Sequence, residues 1–247
     1  MARSVSKRKK PDKDDYQLKE RFKIESEVFD RKTLLILSKL IKKGILQNVD
    51  YPISTGKEAN VFRATAPEGS YVAVKIYKME TAPFFRKEEY LDGDPRFERI
   101  KKSDEDIVRA FARKEFKNLE ICKEAGVHAP TPIYLLGHVI VMGFLGEGEL
   151  PYPTMDMVGS LHGEKDLDSI LGDIKKMYKA GLVHADLSEY NILMGDVPYF
   201  IDLGQGVITR HPRAEKFLER DVEIILKYFS KKGMKKDLGE VLGWIRS

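Results

Sequence analysis

Three oxygen-bearing side chains are closely spaced in the second half of the chain, in the segments HADLSEYNIL (184–193) and IDLG (201–204). They are Asp186, Asn191 and Asp202. Phosphoryl transfer requires a carboxylate beside the attacking hydroxyl group and further oxygen ligands for a divalent cation. We therefore predict that Asp186 is the catalytic carboxylate. Asn191 and Asp202 are the predicted ligands of Mg²⁺, for which Mn²⁺ is an alternative.

A lysine ends a β-rich run at VAVK (72–75). Because side chains alternate along a strand, Val72 and Val74 face one side of the sheet and Ala73 and Lys75 face the other. The small side chain of Ala73 leaves room for a flat ring. Lys75 is then placed to contact the α- and β-phosphates of a nucleotide.

A buried catalytic lysine needs a carboxylate partner, and the helix predicted after this strand offers three. Glu115 is the preferred candidate, and Glu105 and Glu120 on the same helix are the alternatives.

The segment STGKEANVF (54–62) lies between two predicted strands, where a loop that covers phosphates is expected. It does not match the pattern GxGxxG. Gly56 can approach a phosphate without a Cβ, and polar side chains around it add hydrogen-bond donors to the backbone N–H groups. These polar residues are Ser54, Thr55, Lys57 and Asn60.

A purine base needs a paired donor and acceptor at its edge. The segment between the two halves of the chain, Met142 to Leu145, is predicted to supply them from the main chain of Gly143 and Leu145, while Met142 shapes the pocket.

The order of predicted elements indicates an α+β fold with two lobes. Residues 1–15 are predicted to be a mobile basic and acidic tail, and residues 16–48 a helical extension. A sheet and one helix form an N-lobe at 49–145, with a charged, mobile insertion at about 79–103. The β-rich runs of this lobe are 51–53, 60–65, 71–77, 133–136 and 138–144, and apolar periodicity predicts its helix at 104–125. A mainly helical C-lobe follows at 146–247. Its predicted helices are one that carries residues 167–178 and two at 214–229 and 237–245, and its predicted strands are 192–194 and 199–201.

Composition excludes several functional classes. The 247 residues carry 43 basic and 39 acidic side chains, a net charge of +4 that gives little support to nucleic-acid binding. A single cysteine and five scattered histidines do not match a zinc site. No apolar run approaches the roughly 18 residues of a membrane span, and no secretory signal is evident, so we expect a cytoplasmic protein without a membrane partner.

Together, STGKEANVF, VAVK, HADLSEYNIL and IDLGQG resemble the RIO family of atypical protein kinases, most closely its first subfamily. The resemblance covers roughly residues 50–247. It implies a truncated kinase-like fold, use of ATP and Mg²⁺, and phosphorylation of serine or hydrolysis of ATP. It also implies that Asp202 acts as a nucleophile through an aspartyl phosphate. The implied partner is a small ribosomal subunit precursor, bound through protein and also through rRNA.

Only 45 residues follow Asp202, without the Ala-Pro-Glu motif, so an ordinary activation segment and peptide-binding helices are not expected. Two alternatives to a protein kinase stay open. One is a small-molecule phosphotransferase on the same fold, and the other is a nucleotide-binding scaffold without catalysis.

The predicted insertion contains few hydroxyl groups. We predict autophosphorylation at Ser103, because it precedes the following helix, whose N-terminal N–H groups favour a phosphate.

Overall fold

The computed structural model describes residues 29–79 and 103–247. Within them a five-stranded sheet and one long helix form the N-lobe, and a mainly helical C-lobe follows. This confirms the predicted two-lobed α+β fold. The predicted tail at 1–15, the first part of the helical extension and nearly all of the insertion at 79–103 lie outside the described residues.

The N-lobe sheet is antiparallel, with the order β1-β2-β3-β5-β4. Its strands are β1 (Asn48–Thr55), β2 (Ala59–Thr65), β3 (Tyr71–Tyr77), β4 (Pro132–Leu136) and β5 (Val139–Gly143). All five were predicted, although β1 starts three residues earlier than the β-rich run Tyr51 to Ile53 indicated.

Helix α1 (Arg31–Lys42) precedes the sheet. The Asp30 side chain caps it by accepting the N–H groups of Lys32 and Thr33, at 2.8 and 2.9 Å. Gly44, at φ +68°, turns the chain after the helix ends. The helix packs its apolar side on the sheet, on the face formed by the alternate strand residues Val72, Val74 and Ile76.

Helix α2 (Asp104–Ala125) covers the other face, with the bounds predicted from its apolar periodicity. Ser103 is its N-cap and accepts the Asp106 N–H at 3.2 Å. Gly126 ends it in the left-handed conformation, at φ +67°. Buried side chains of this helix, such as Phe111 and Leu119, join one core with the C-lobe.

The C-lobe begins with a hairpin of two short strands and continues with helices around two further small strand pairs. Its elements are β6 (Gly146–Glu147), β7 (Leu150–Pro151), α3 (Met155–Val158), α4 (Glu164–Lys179), β8 (Leu182–Val183), β9 (Ile192–Met194), β10 (Pro198–Phe200), β11 (Val207–Ile208), α5 (Ala214–Ser230) and α6 (Leu238–Arg246). The sequence predicted α4, β9, β10, α5 and α6. It missed α3 and the two-residue strands, which are too short to show periodicity.

Among the described residues, no helix has the length and apolar character needed to cross a membrane.

Candidate active site

A cleft of about 750 Å³ lies between the two lobes and is lined from both. It brings together twelve of the fifteen predicted site residues. They are Ser54, Gly56, Lys57, Ala73, Lys75, Glu115, Met142, Gly143, Leu145, Asp186, Asn191 and Asp202. Thr55, Asn60 and Ser103 are not part of the described lining.

Lys75 lies between two carboxylates at the centre of the cleft. Its Nζ donates to Glu115 Oε1 at 2.7 Å and to Asp202 Oδ1 at 2.8 Å. Burial alone would lower the pKa of Lys75, but the negative charges of Asp202 and Glu115 outweigh it and raise the pKa. Lys75 is therefore a fixed cation that joins β3, α2 and the loop after β10.

Tyr77 holds the second oxygen of Glu115. Its hydroxyl donates to Glu115 Oε2 at 2.5 Å, and burial together with the charge of that carboxylate raises the pKa of Tyr77 well above its ordinary value. Both oxygens of the buried Glu115 are thus hydrogen-bonded, which a buried carboxylate requires.

Helix α2 also holds the turn that follows Asp202. The fully buried Lys114 Nζ donates to the carbonyl groups of Gly204 and Gln205 at 3.1 and 3.0 Å. Asn118 Nδ2 donates to those of Leu203 and Gly206 at 2.8 and 2.9 Å. The position of Asp202 is therefore coupled to α2 by four hydrogen bonds as well as through Lys75.

Gly204 is required by this close packing. A Cβ at this position would lie 2.8 Å from the hydroxyl oxygen of Tyr77, closer than real Cβ contacts allow. The glycine in IDLG therefore permits the turn to approach β3.

Asp186 and Asn191 face the cleft from the loop between β8 and β9. Asn191 Nδ2 donates to the carbonyl oxygen of Asp186 at 2.8 Å, which closes this loop. Gln205 Nε2 donates to Asp186 Oδ2 at 2.9 Å. The orientation of the Asp186 carboxylate is thus fixed by a residue from the turn after Asp202.

The residue before Asp186 has a strained backbone. Ala185 lies at φ +63°, in the left-handed region that residues with a Cβ rarely adopt. Asp221 of α5 accepts its N–H at 2.7 Å and that of Leu187 at 3.2 Å, and Arg220 donates to the Ala185 carbonyl. Burial raises the pKa of Asp221 to about 7, against the opposing effects of Arg220 and these two amides. Helix α5 therefore maintains the conformation that turns Asp186 into the cleft.

His184 supports the same loop from inside the core. Its Nε2 lies 3.1 Å from the carbonyl oxygen of Ile201, and burial lowers its pKa to about 4. A neutral ring that donates to this carbonyl joins the segment before Asp186 to the residue that precedes Asp202.

The loop between β1 and β2 covers one side of the cleft. The N–H of Gly56 donates to the carbonyl oxygen of Ala59 at 2.9 Å, and a Cβ on Gly56 would lie only 3.0 Å from that oxygen. Thr55 and Asn60 are paired across the two strands. Asn60 Oδ1 is buried and has no hydrogen-bond partner among the described residues.

At the hinge, two of the main-chain groups are used within the protein. The Gly143 N–H donates to the Thr131 carbonyl at 2.8 Å, and the Leu145 carbonyl accepts the Tyr152 N–H at 3.1 Å. These two contacts do not use the carbonyl of Gly143 or the N–H of Leu145, and the role of those groups as acceptor and donor for a base edge stays a prediction.

Ser103 lies at the start of α2, where its hydroxyl is 2.5 Å from Asp106 Oδ2. Its phosphorylation stays a prediction.

The oxygen ligands in the cleft suit a hard divalent cation. Asp202 offers a carboxylate that is 47% exposed, and Asn191 offers an amide oxygen. The described residues contain no cluster of three or more His, Cys, Asp or Glu side chains that could hold a metal by itself. Mg²⁺ characteristically binds one or two protein oxygens together with nucleotide phosphates and water, so this sparse donor set fits it.

Sequence reasoning missed several residues that support the site. They are Tyr77, Lys114, Asn118, Gln205, Arg220 and Asp221. The alternation that placed Lys75 also places Tyr77 on the same face, and Lys114 and Asn118 are one helical turn apart beside Glu115, so a signal existed for these three. Asp221 lies 35 residues from Asp186, and no local pattern links the two.

The chain is similar to known proteins in sequence and in fold. A family model described as the RIO domain matches residues 60–241. The RIO-type serine/threonine-protein kinase Rio1 of Haloferax volcanii is 39% identical over 238 residues, covering 94% of this chain and 82% of its own length. That of Methanocaldococcus jannaschii is 40% identical over 215 residues, covering 86% and 73%. The human serine/threonine-protein kinase RIO1 is 37% identical, covering 82% of this chain but 37% of the human protein.

A solved structure, the Rio2 kinase–ADP/Mg²⁺–phosphoaspartate complex from Chaetomium thermophilum, has the same fold. Its TM-score is 0.64 at 24% identity, and the match covers 84% of this chain and 64% of that one. The family model and the curated relatives together establish that the chain belongs to the RIO domain family, within the Rio1 subfamily of atypical serine/threonine-protein kinases.

Proposed function

We propose that the protein binds Mg-ATP and transfers its γ-phosphoryl group to a serine hydroxyl or to water during maturation of the small ribosomal subunit. The observation that carries the chemistry is the bridge from Lys75 to Glu115 and Asp202, in one cleft with Asp186 and Asn191. The ribosomal partner rests on the resemblance to the RIO family alone, and the cytoplasmic location stays a prediction.

Each side chain has a role that its position supports. The Lys75 ammonium group neutralises charge on the nucleotide phosphates, and Glu115 keeps it in place. Asp202 and Asn191 hold Mg²⁺, or Mn²⁺ in its place, which offsets the negative charge that develops on the phosphates. Asp186, oriented by Gln205, accepts the proton of the attacking hydroxyl group.

The residues of the predicted nucleotide pocket bind the base and the phosphates or support the residues that do. The Gly143 carbonyl and the Leu145 N–H meet the adenine edge, with Met142 and Ala73 shaping the pocket. Ser54, Gly56 and Lys57 cover the phosphates from the β1–β2 loop. Thr55 and Asn60 act indirectly by holding the base of that loop, since they lie outside the described lining.

Hydrolysis of ATP is a second output of the same site. The Asp202 carboxylate attacks the γ-phosphorus, the bond to the β,γ-bridging oxygen breaks, and ADP leaves. Water then hydrolyses the aspartyl phosphate, which releases inorganic phosphate and regenerates the carboxylate. The related Rio2 structure named above contains a phosphoaspartate. For this chain, acid-quenched enzyme should carry a phosphate that hydroxylamine removes, and Asp202→Asn should carry none.

Asp186→Asn tests the assignment of the catalytic carboxylate. Turnover should fall by about 10²- to 10⁴-fold, whereas affinity for Mg-ATP should stay nearly unchanged, because Asp186 orients the nucleophile without holding the nucleotide. Asp196→Asn is the matched control, since Asp196 is an exposed aspartate in the β9–β10 turn. Near-normal turnover in Asp186→Asn would refute the assignment.

ATP hydrolysis measured with and without small-subunit precursor particles separates the alternatives. Stimulation by the particles supports the proposed function. Transfer to small molecules without any effect of particles would favour the phosphotransferase. Nucleotide binding without turnover under either condition would favour the scaffold.

A further inference from the structure

Arg63 in β2 is a buried cation near the hinge end of the cleft. It is paired with Ala73 in the sheet register, so its side chain is on the cleft face. The guanidinium carbon lies 4.6 Å from the ring centroid of Tyr51 and 4.2 Å from that of Tyr71. Its Nε donates to Asp50 at 2.9 Å, and only 8% of the residue is exposed. Two aromatic rings and one carboxylate thus fix its orientation.

These side chains of the sheet converge on one residue of the C-lobe. Arg63 Nη1 donates to the main-chain carbonyl of Glu149 at 3.3 Å, and the Tyr51 hydroxyl donates to the same oxygen. The Tyr71 hydroxyl donates to Glu149 Oε1 at 3.1 Å. Glu149 lies in the turn between β6 and β7, directly after the hinge.

The β6–β7 hairpin connects this turn rigidly to the hinge. Its register pairs Gly146 with Pro151, and the Tyr152 N–H donates to the Leu145 carbonyl. The two strands approach so closely that a Cβ on Gly146 would lie 2.2 Å from the carbonyl oxygen of Leu150. A displacement of the hairpin turn would therefore move Leu145 as well.

A simple surface ion pair does not account for these contacts. The Glu149 carboxylate is 71% exposed and lies 3.7 Å from Arg63, so its charge contributes little. The main-chain carbonyl of Glu149 instead receives two side-chain donors, one of which is buried and held between rings. What the cluster fixes is the backbone of the hairpin turn.

We propose that Arg63, Tyr51 and Tyr71, bound to Glu149, form an interlobe latch that holds the hinge in position to receive the purine base. Arg63 is a positioning residue and does not contact the nucleotide. This inference rests on the proposed nucleotide site. It predicts that the base and the phosphates of the nucleotide respond differently when the latch is lost. Loss of the latch weakens the contribution of the base and leaves that of the phosphates intact.

The double variant Tyr51→Phe, Tyr71→Phe removes both hydroxyl donors to Glu149 and keeps the rings around Arg63. Its affinity for Mg-ATP should fall by about tenfold, the effect of losing roughly 1.4 kcal/mol of hinge preorganisation. Its affinity for Mg-tripolyphosphate, which lacks a base, should match that of the wild type. Arg63→Met should show a larger change of the same kind, but it also leaves Asp50 without its cation. If the Arg63→Met protein fails to fold for this reason, the double tyrosine variant still tests the latch.

Tyr134→Phe is the matched control. Lys43 Nζ donates to the Tyr134 hydroxyl at 3.1 Å and lies over its ring, so a hydrogen-bonded tyrosine beside a cation also occurs in the N-lobe, where it does not join the lobes. This variant should bind both ligands as the wild type does.

Amide hydrogen exchange without nucleotide gives an independent readout. Residues 144–152 should exchange faster in the double variant than in the wild type or in Tyr134→Phe. Unchanged exchange, or an equal loss of affinity for both ligands, would overturn the latch. A wild-type protein that fails to bind Mg-ATP would instead refute the proposed function, and the exchange result would still decide whether the latch holds the hinge.

Discussion

Strand β3 presents Val72, Val74 and Ile76 to one face of the sheet, and Ala73, Lys75 and Tyr77 to the other. The first set packs in a core with Leu37 and Leu40 of α1. The second set faces the cleft, where Lys75 and Tyr77 are bound to Glu115. One strand of seven residues thus contributes to two different environments through its alternation alone.

The comparison shows how stability and chemistry are kept apart in this lobe. On the α1 face, apolar burial supplies free energy of folding. On the cleft face, a buried lysine and a buried glutamate have an energetic cost, which is offset by their hydrogen bond to each other and by those to Asp202 and Tyr77. We therefore expect substitutions on the two faces to affect different measurements.

Among the substitutions that compare the two faces of the sheet, Lys75→Met should have the largest effect. Turnover per folded molecule should fall by about 10²- to 10³-fold, since a preorganised cation at the phosphates is lost. Lys39→Met is the control, because Lys39 is an exposed lysine on α1. Steady-state kinetics at saturating Mg-ATP measures both variants. If Lys75→Met turned over near the wild-type rate, the expectation that the cleft face controls turnover would be wrong.

Val74→Ala should act on stability alone. Deleting two methyl groups from a fully buried site should lower the free energy of unfolding by about 2 kcal/mol. Turnover per folded molecule should not change. Urea denaturation and kinetics on the same sample test both statements.

The adjacent variant Ala73→Val should do the reverse. It should weaken Mg-ATP binding by crowding the cleft, while the free energy of unfolding changes less. The same response from Val74→Ala and Ala73→Val would contradict the comparison of the two faces.

His138 should give a smaller effect that appears only with pH. It lies on the α1 side, where its Nε2 is 2.8 Å from Thr33 Oγ1. Burial lowers its pKa below the ordinary value of 6.5, although Asp30 opposes the shift. Below about pH 6.5, His138 therefore binds a proton more readily in the unfolded chain than in the folded protein. As a result, the free energy of unfolding decreases as the pH falls.

His138→Gln removes this dependence and can still hydrogen-bond to Thr33. The melting temperature of the wild type should therefore drop relative to that of His138→Gln as the pH is lowered from 8 to 5. A constant difference over this range would show that His138 is not held neutral by the α1 face.

Much of the fold was predictable because its signals are local. Helix α2 shows apolar residues at helical spacing between a serine cap and a glycine stop, and its bounds were predicted correctly. The strands β2 and β3 are separated by a turn with Gly69 at φ +87°. By contrast, the hairpin of β6 and β7 has two residues in each strand, and its turn contacts Tyr51, Arg63 and Tyr71, which are far away in the chain.

The site divides in the same way. Metal binding and phosphoryl transfer restrict the residue types and their spacing. Roles could therefore be predicted from the sequence for Asp186, Asn191 and Asp202. The supporting contacts could not, because each joins distant segments. Asp221 accepts the N–H of Ala185 from another helix, and Lys114 reaches the carbonyl of Gly204 across 90 residues of sequence.

The sequence by itself determined which side chains are available for chemistry and which face of β3 each occupies, since both follow from residue type and a period of two. The tertiary structure decided that Glu115, and neither Glu105 nor Glu120, pairs with Lys75. Glu105 is bound to Lys32 and Arg109, and Glu120 lies beside Lys117. All three glutamates are on α2, so only the packing of that helix on the sheet turns Glu115 alone towards β3, where burial makes its pairing with Lys75 necessary.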